Sequence, residues 1–143
     1  MENDTVKLLR ECDAGIKMGV GTIDQILEYV KDKKLHQILS DGKKDHEKLK
    51  EELQKMLVEA HDEGKDPKVM AKGMSWMKTN MKLVMHESDA TIADLVTEGC
   101  DMGVKSLARY LNEYKAADPK AQNIAQELII IEEGLAKSMR EYL

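Results

Sequence analysis

The chain has 143 residues and a mass of 16.2 kDa, enough for one domain with a real hydrophobic core. Ten Met, no Phe, one Trp and only two Pro exclude the usual sheet proteins, which draw on β-branched and aromatic runs, and point to an all-α fold. A formal charge of −5 and a pI near 5.4 exclude general nucleic-acid binding, because neutralising phosphates needs a basic face.

The first residues, Met1 to Asp4, form no basic stretch leading into an apolar one, and no apolar run approaches the roughly 18 residues of a membrane span. A cytoplasmic protein without a membrane span is expected. Cys12 and Cys100 are then expected as reduced, buried thiols, since neither has a CxxC partner or a neighbouring His.

In chain order, Asp4 or Thr5 can cap a first helix. Leu9, Cys12, Ile16, Gly19, Ile23, Ile26 and Val30 follow at alternating three- and four-residue steps, the stripe of a bundle helix. It runs to about Lys31, where Asp32-Lys33-Lys34 interrupts it. A second stripe follows, of Leu35, Leu39, Gly42, His46, Leu49, Leu53, Met56 and Ala60. Two antiparallel helices with a very short turn, hairpin one over 4–63, are expected. The second helix ends near His61, with Gly64 suited to the left-handed position beyond it.

Asp66 and Pro67 open a different segment, 66–87, which carries Lys68, Lys72, Lys78 and Lys82. It also carries Trp76 and a methionine stripe of Met70, Met74, Met77, Met81 and Met85 at helical spacing. Flexible methionines suit the packed face of a crossover helix, and the same basic amphipathic face offers a contact surface for a second subunit or partner helix.

Ser88 and Asp89 offer a new cap, and Ile92, Val96, Cys100, Val104, Leu107, Leu111 and Tyr114 form the next stripe. Asp118-Pro119 opens the last helix, with Ile124, Leu128, Ile131, Leu135 and Tyr142 inward and Ile129 and Ile130 widening the stripe. Hairpin two thus spans 88–143. A crossover helix of about 19 residues, roughly 29 Å at 1.5 Å per residue, returns the chain along the bundle. The topology is then up-down-down-up in a single domain, 1–143.

Cys12-Asp13-Ala14-Gly15-Ile16-Lys17 recurs as Cys100-Asp101-Met102-Gly103-Val104-Lys105, an echo between the two hairpins. With Ile26-Leu27-Glu28-Tyr29-Val30-Lys31-Asp32-Lys33-Lys34-Leu35 and Asp45-His46-Glu47-Lys48-Leu49, this pattern resembles the ferritin-like superfamily, in particular its bacterial four-helix-bundle domains. The resemblance covers part of hairpin one, between Glu11 and Leu57, and the echo extends it more weakly to hairpin two. It implies a ferritin-like bundle of two repeated hairpins. It also implies, in the di-iron members, a Glu from each of two helices and Glu-x-x-His from each of the other two.

None of the four histidines, His36, His46, His61 and His86, has a Glu three residues before it, so that ligand motif is missing. The carboxylates and imidazole left as metal candidates are Glu11, Asp13, His46, Glu52, Asp101 and Glu132. In a hairpin turning at residues 32 and 33, His46 lies level with Gly19, and Asp13 about 9 Å further along the axis. By the same count Asp13 falls near Glu52, and Asp101 near Glu132 and Glu133. Asp13 and Asp101 each precede a Lys by four positions, an intrahelical ion-pair spacing that needs no metal.

No phosphate-binding glycine loop, dinucleotide fingerprint or nucleophile elbow is present. The sequence therefore points to a non-catalytic bundle with no cofactor, acting as a homo-oligomer, a dimer first, or through a protein partner. Candidate contact residues are Met70, Met74, Trp76, Met77, Met81 and Met85. The alternative is a carboxylate-bridged iron or manganese protein, an iron-handling protein or an oxidoreductase.

Overall fold

The computed structural model describes residues 3–65 and 88–143. The crossover segment 66–87 and the contact residues assigned to it lie outside the described residues. Four α-helices make up the described fold: α1 (Asn3–Ile26), α2 (Lys33–Glu59), α3 (Asp89–Glu113) and α4 (Pro119–Met139). Single 3-10 turns follow α1 at Leu27–Tyr29 and α4 at Arg140–Tyr142, and no strand occurs among the described residues. Among them, no helix is long and apolar enough to cross a membrane.

The stripes read from the sequence become the core. Around the start of α1, Leu8, Leu9, Cys12 and Ile16 pack with Leu53 and Leu57 of α2, Leu107 of α3, and Ile124 and Leu128 of α4. A second cluster joins Ile23 and Ile26 to Leu35 and Leu39, to Ile92, Val96 and Cys100, and to Leu135 and Met139. Each fully buried Leu or Ile contributes about 1.5–3 kcal/mol through removal of its side chain from water. Helix α1 touches all three others and α2 packs on α4.

Polar contacts at the ends fix which termini meet. The N–H groups of Ala116 and Asp118, in the α3–α4 turn, donate to the Asp4 carboxylate (3.2 Å) and the Thr5 hydroxyl (2.7 Å). Asp4 and Thr5 therefore sit within the first turn of α1 and tie it to another loop, instead of capping their own helix as their residue types suggested. At the opposite end, Asp89 accepts from the N–H groups of Lys31 and Asp32, both at 2.9 Å. Asp32 caps α2 by accepting from the Leu35 N–H at 2.9 Å, and the Tyr142 hydroxyl donates to the same carboxylate oxygen at 3.4 Å. Helix α1 stops at Ile26, short of the expected Lys31, and the 3-10 turn and the Asp89 contacts take over from there.

The end of α2 turns back onto α1. His61 (φ 53°) and Gly64 (φ 84°) are both left-handed, so two residues share the reversal that the sequence assigned to the glycine alone. Asp62 then pairs with Arg10, and the Lys65 N–H donates to Asp13 at 2.9 Å. A methyl group on Gly64 would strike the Asp13 carboxylate as well as straining the backbone. Gly64→Ala is expected to cost more than about 1 kcal/mol, read as a lower urea midpoint, and an unchanged midpoint would contradict this turn geometry.

Candidate functional site

Between the two apolar clusters lies a buried polar centre. His46 follows Leu39 and Gly42 on the inward face of α2, and Glu132 lies between Leu128 and Leu135 on the inward face of α4. Each stands fourteen positions after the aspartate preceding its helix, Asp32 and Asp118. The helices start at opposite ends of the bundle, and the direct contact between the two side chains places them at the same height. His46 is wholly inaccessible, and Glu132 is 8% exposed.

The imidazole is fixed through both nitrogens. Nδ1 donates to the Gly42 carbonyl at 2.7 Å, and Nε2 meets Glu132 Oε1 at 2.8 Å. With Nδ1 already carrying a proton for the carbonyl, Nε2 meets the carboxylate best by donating as well. That makes the ring an imidazolium. Burial alone pushes the His46 pKa down, but the hydrogen bond and charge of Glu132, the Gly42 carbonyl and the charge of Asp45 together raise it above its ordinary value.

Two further helices close the centre. On α1, Gly19 leaves room for the ring: a Cβ there would lie 2.8 Å from Nε2 and 3.0 Å from Cδ2. The sequence count set His46 level with Gly19, and that is where it is. On α3, the Cys100 thiol lies beside Glu132, and a Cβ on Gly103 would meet the same carboxyl at 3.7 Å. Burial, then the Glu132 charge, pushes the Cys100 thiol far up, so it stays protonated. Burial likewise raises Cys12, to about 12, with Glu11 and Asp13 adding to it. Both free thiols should resist a disulfide reagent such as DTNB in native protein and react on unfolding; fast native reaction at either would contradict this burial.

A second polar cluster lies nearer the start of α1. Asp13 is fully buried, pairs with Lys17 at 2.8 Å, and accepts from the Lys65 N–H and the Gln54 amide. Glu11 holds the Lys65 ammonium and lies near Tyr110. The Asp13–Lys17 ion pair is therefore made as its spacing suggests.

Its counterpart is not. Asp101 and Lys105 are both exposed and form no ion pair among the described residues, and Asp101 does not join Glu132, which turns instead to His46 and Cys100. Glu52 is exposed, and Gln54, one half-turn on, takes the place beside Asp13. Of the six metal candidates, only His46 and Glu132 come together. Glu11 and Asp13 share Lys65 at another level, and Glu52 and Asp101 face solvent. Among the described residues, no group of three or more His, Cys, Asp or Glu side chains is placed to hold a metal ion.

Sequence patterning put Ile131 in the core of α4 and left Glu132 beside it. In the structure Glu132 takes the core position, Ile131 is half-buried and Ile130 is 68% exposed. The signal that could have found Glu132 is its spacing, four residues after Leu128 and three before Leu135, which puts it on the inward stripe of α4. No known protein family, curated protein or solved structure matches the chain.

Proposed function

We propose that the chain is a non-catalytic ferritin-like bundle of two repeated hairpins that works by associating with protein chains, its own copies or others. The contacts at the helix ends support an up-down-down-up order. The start of α1 meets the end of α2 and the α3–α4 turn, while the α1–α2 turn meets the start of α3 and the end of α4.

The observation that carries the non-catalytic reading is the closure of the polar centre. The resemblance assigns metal ligands to the helix interiors of such a bundle, and here the buried imidazole commits both nitrogens to protein acceptors. Its carboxylate partner is engaged by the same ring, with the Cys100 thiol beside it. One imidazolium supplies beside Glu132 the positive charge that a cation would otherwise bring. The donor set in contact, one imidazole and one carboxylate, does not fit a two-metal centre, which needs several bridging carboxylates.

The test is metal analysis of protein purified without a histidine tag, combined with its mass in solution by light scattering. Metal-free protein that is larger than a monomer, or that captures a partner in stoichiometric amount, is the expected result. Stoichiometric iron, manganese or zinc would overturn the reading in favour of a divergent metal-binding protein.

A further inference from the structure

We propose that the groove between α2 and α4 receives an amphipathic helix of basic character from another protein, which names the surface and partner class of the association reading above and rests on it. Two adjoining hollows of about 270 and 430 Å³ share Asp45, Ile130 and Ile131 and run along this seam. Their apolar lining includes Ile38, Leu49, Ile130 and Ile131. The groove extends along α2 from Ile38 to Glu52, about 21 Å at 1.5 Å per residue, the length of roughly four helical turns.

The residues placed here are the reverse of what stability asks. On α4 the core position goes to Glu132 while Ile130, 68% exposed, faces this groove. A large isoleucine at a solvent position gains nothing from folding and gains from a partner's apolar stripe.

Charge selects the partner. The described lining holds Asp41, Asp45, Glu52 and Glu127 against the single cation Lys48. Asp41 accepts from Gln37 and Glu127 from Asn123, and none of the four carboxylates is in an ion pair among the described residues. Such a rim attracts lysines and arginines flanking an apolar stripe. A second copy of the same face would set carboxylates against carboxylates, which disfavours a two-fold contact through it. An anionic membrane is repelled for the same reason. The last residues described before the crossover segment are held on α1, Asp62 by Arg10 and Lys65 by Glu11.

The probe is a fluorescein-labelled 18-residue helical peptide of leucine and lysine at amphipathic spacing, titrated by fluorescence anisotropy into the full chain. Saturable one-to-one binding is expected, weakened tenfold or more by Ile130→Lys and by Asp45→Lys. Asp101→Lys, on exposed α3 surface, makes the same charge change as Asp45→Lys and should alter binding less than twofold. Ile130 and Asp45 are both solvent-exposed, so their variants should keep the parent's helical circular dichroism.

Absence of saturable binding overturns the groove as a docking site. Equal weakening by Asp45→Lys and Asp101→Lys overturns it too, by reducing the effect to general charge attraction, as does equal binding of a leucine/glutamate peptide. If Ile130→Lys alone changes the protein's mass in solution, the groove is a self-contact and the hetero-partner is excluded. These readouts are independent of metal content, so failure here leaves the non-catalytic reading to its own test.

Discussion

Glu132→Leu is expected to lower the unfolding free energy by about 3–5 kcal/mol, and His46→Leu by a comparable amount, whereas the double variant should recover most of the loss. Desolvation is the cause. In the native protein His46 and Glu132 satisfy each other across α2 and α4, with the remaining ring nitrogen on the Gly42 carbonyl. Removing one partner leaves the other in an apolar layer with no compensating charge, the costly half of a buried ion pair. Removing both leaves leucines between two apolar clusters, where Leu39, Leu49, Leu128 and Leu135 already line the two helices. A double-mutant cycle from urea unfolding isolates the coupling. If each single variant costs under about 1 kcal/mol, or if the two losses simply add, the pair does not act as a buried unit.

Why the sequence announced half of this centre and concealed the other half follows from what periodicity measures. The stripe of α2 placed His46 inward because apolar residues flank it at helical spacing, and hairpin geometry then set it against Gly19. On α4 the same rule misled. Ile129, Ile130 and Ile131 offered three apolar residues in a row, so hydrophobicity alone chose Ile131 and passed over Glu132, whose burial depends on a partner 86 residues away. The end contacts were obscured for a related reason. Asp4, Thr5 and Asp89 have the side chains of helix caps, and they do accept backbone N–H groups, but from neighbouring segments of the fold. Residue type foretold the chemistry there, and only the packing of helix ends could supply the donor. Asp13 and Asp101 make the point from the other side. One motif on two helices becomes a buried, hydrogen-bonded carboxylate in the first and an exposed one in the second, because only α1 lies against the returning chain at Gly64 and Lys65.

Stability should fall as pH rises above about 6.5, and the fall should depend on Glu132. His46 has a folded pKa above its ordinary value, so the folded chain binds the proton more tightly than the unfolded chain does. The contribution is fully present below the unfolded pKa and is lost as pH rises through the folded one. Its origin lies in the hydrogen bonds of the ring. Once neutral, the ring keeps one N–H for two acceptors, and either the Gly42 carbonyl or the Glu132 carboxylate then faces a nitrogen lone pair. The other groups facing it do not compete below about pH 8: α1 contributes the uncharged Gly19, the Cys100 thiol on α3 stays protonated in the folded and unfolded chain alike, and Asp45 adds negative charge that favours the protonated ring. A tenfold difference in proton affinity between the folded and unfolded chain corresponds to about 1.4 kcal/mol, so the loss between about pH 6 and pH 8, below the range where the thiols of Cys12 and Cys100 ionise in the unfolded chain, reports how much more tightly the bundle holds the proton. Urea unfolding across that range in the parent and in Glu132→Gln is the measurement. The parent should weaken with rising pH. In Glu132→Gln the main interaction holding the proton is gone while burial still opposes the charge, so the slope should vanish or reverse. A parent whose stability is flat or rising over this range would mean that His46 is buried neutral, and the imidazolium at the centre of the bundle would have to be abandoned.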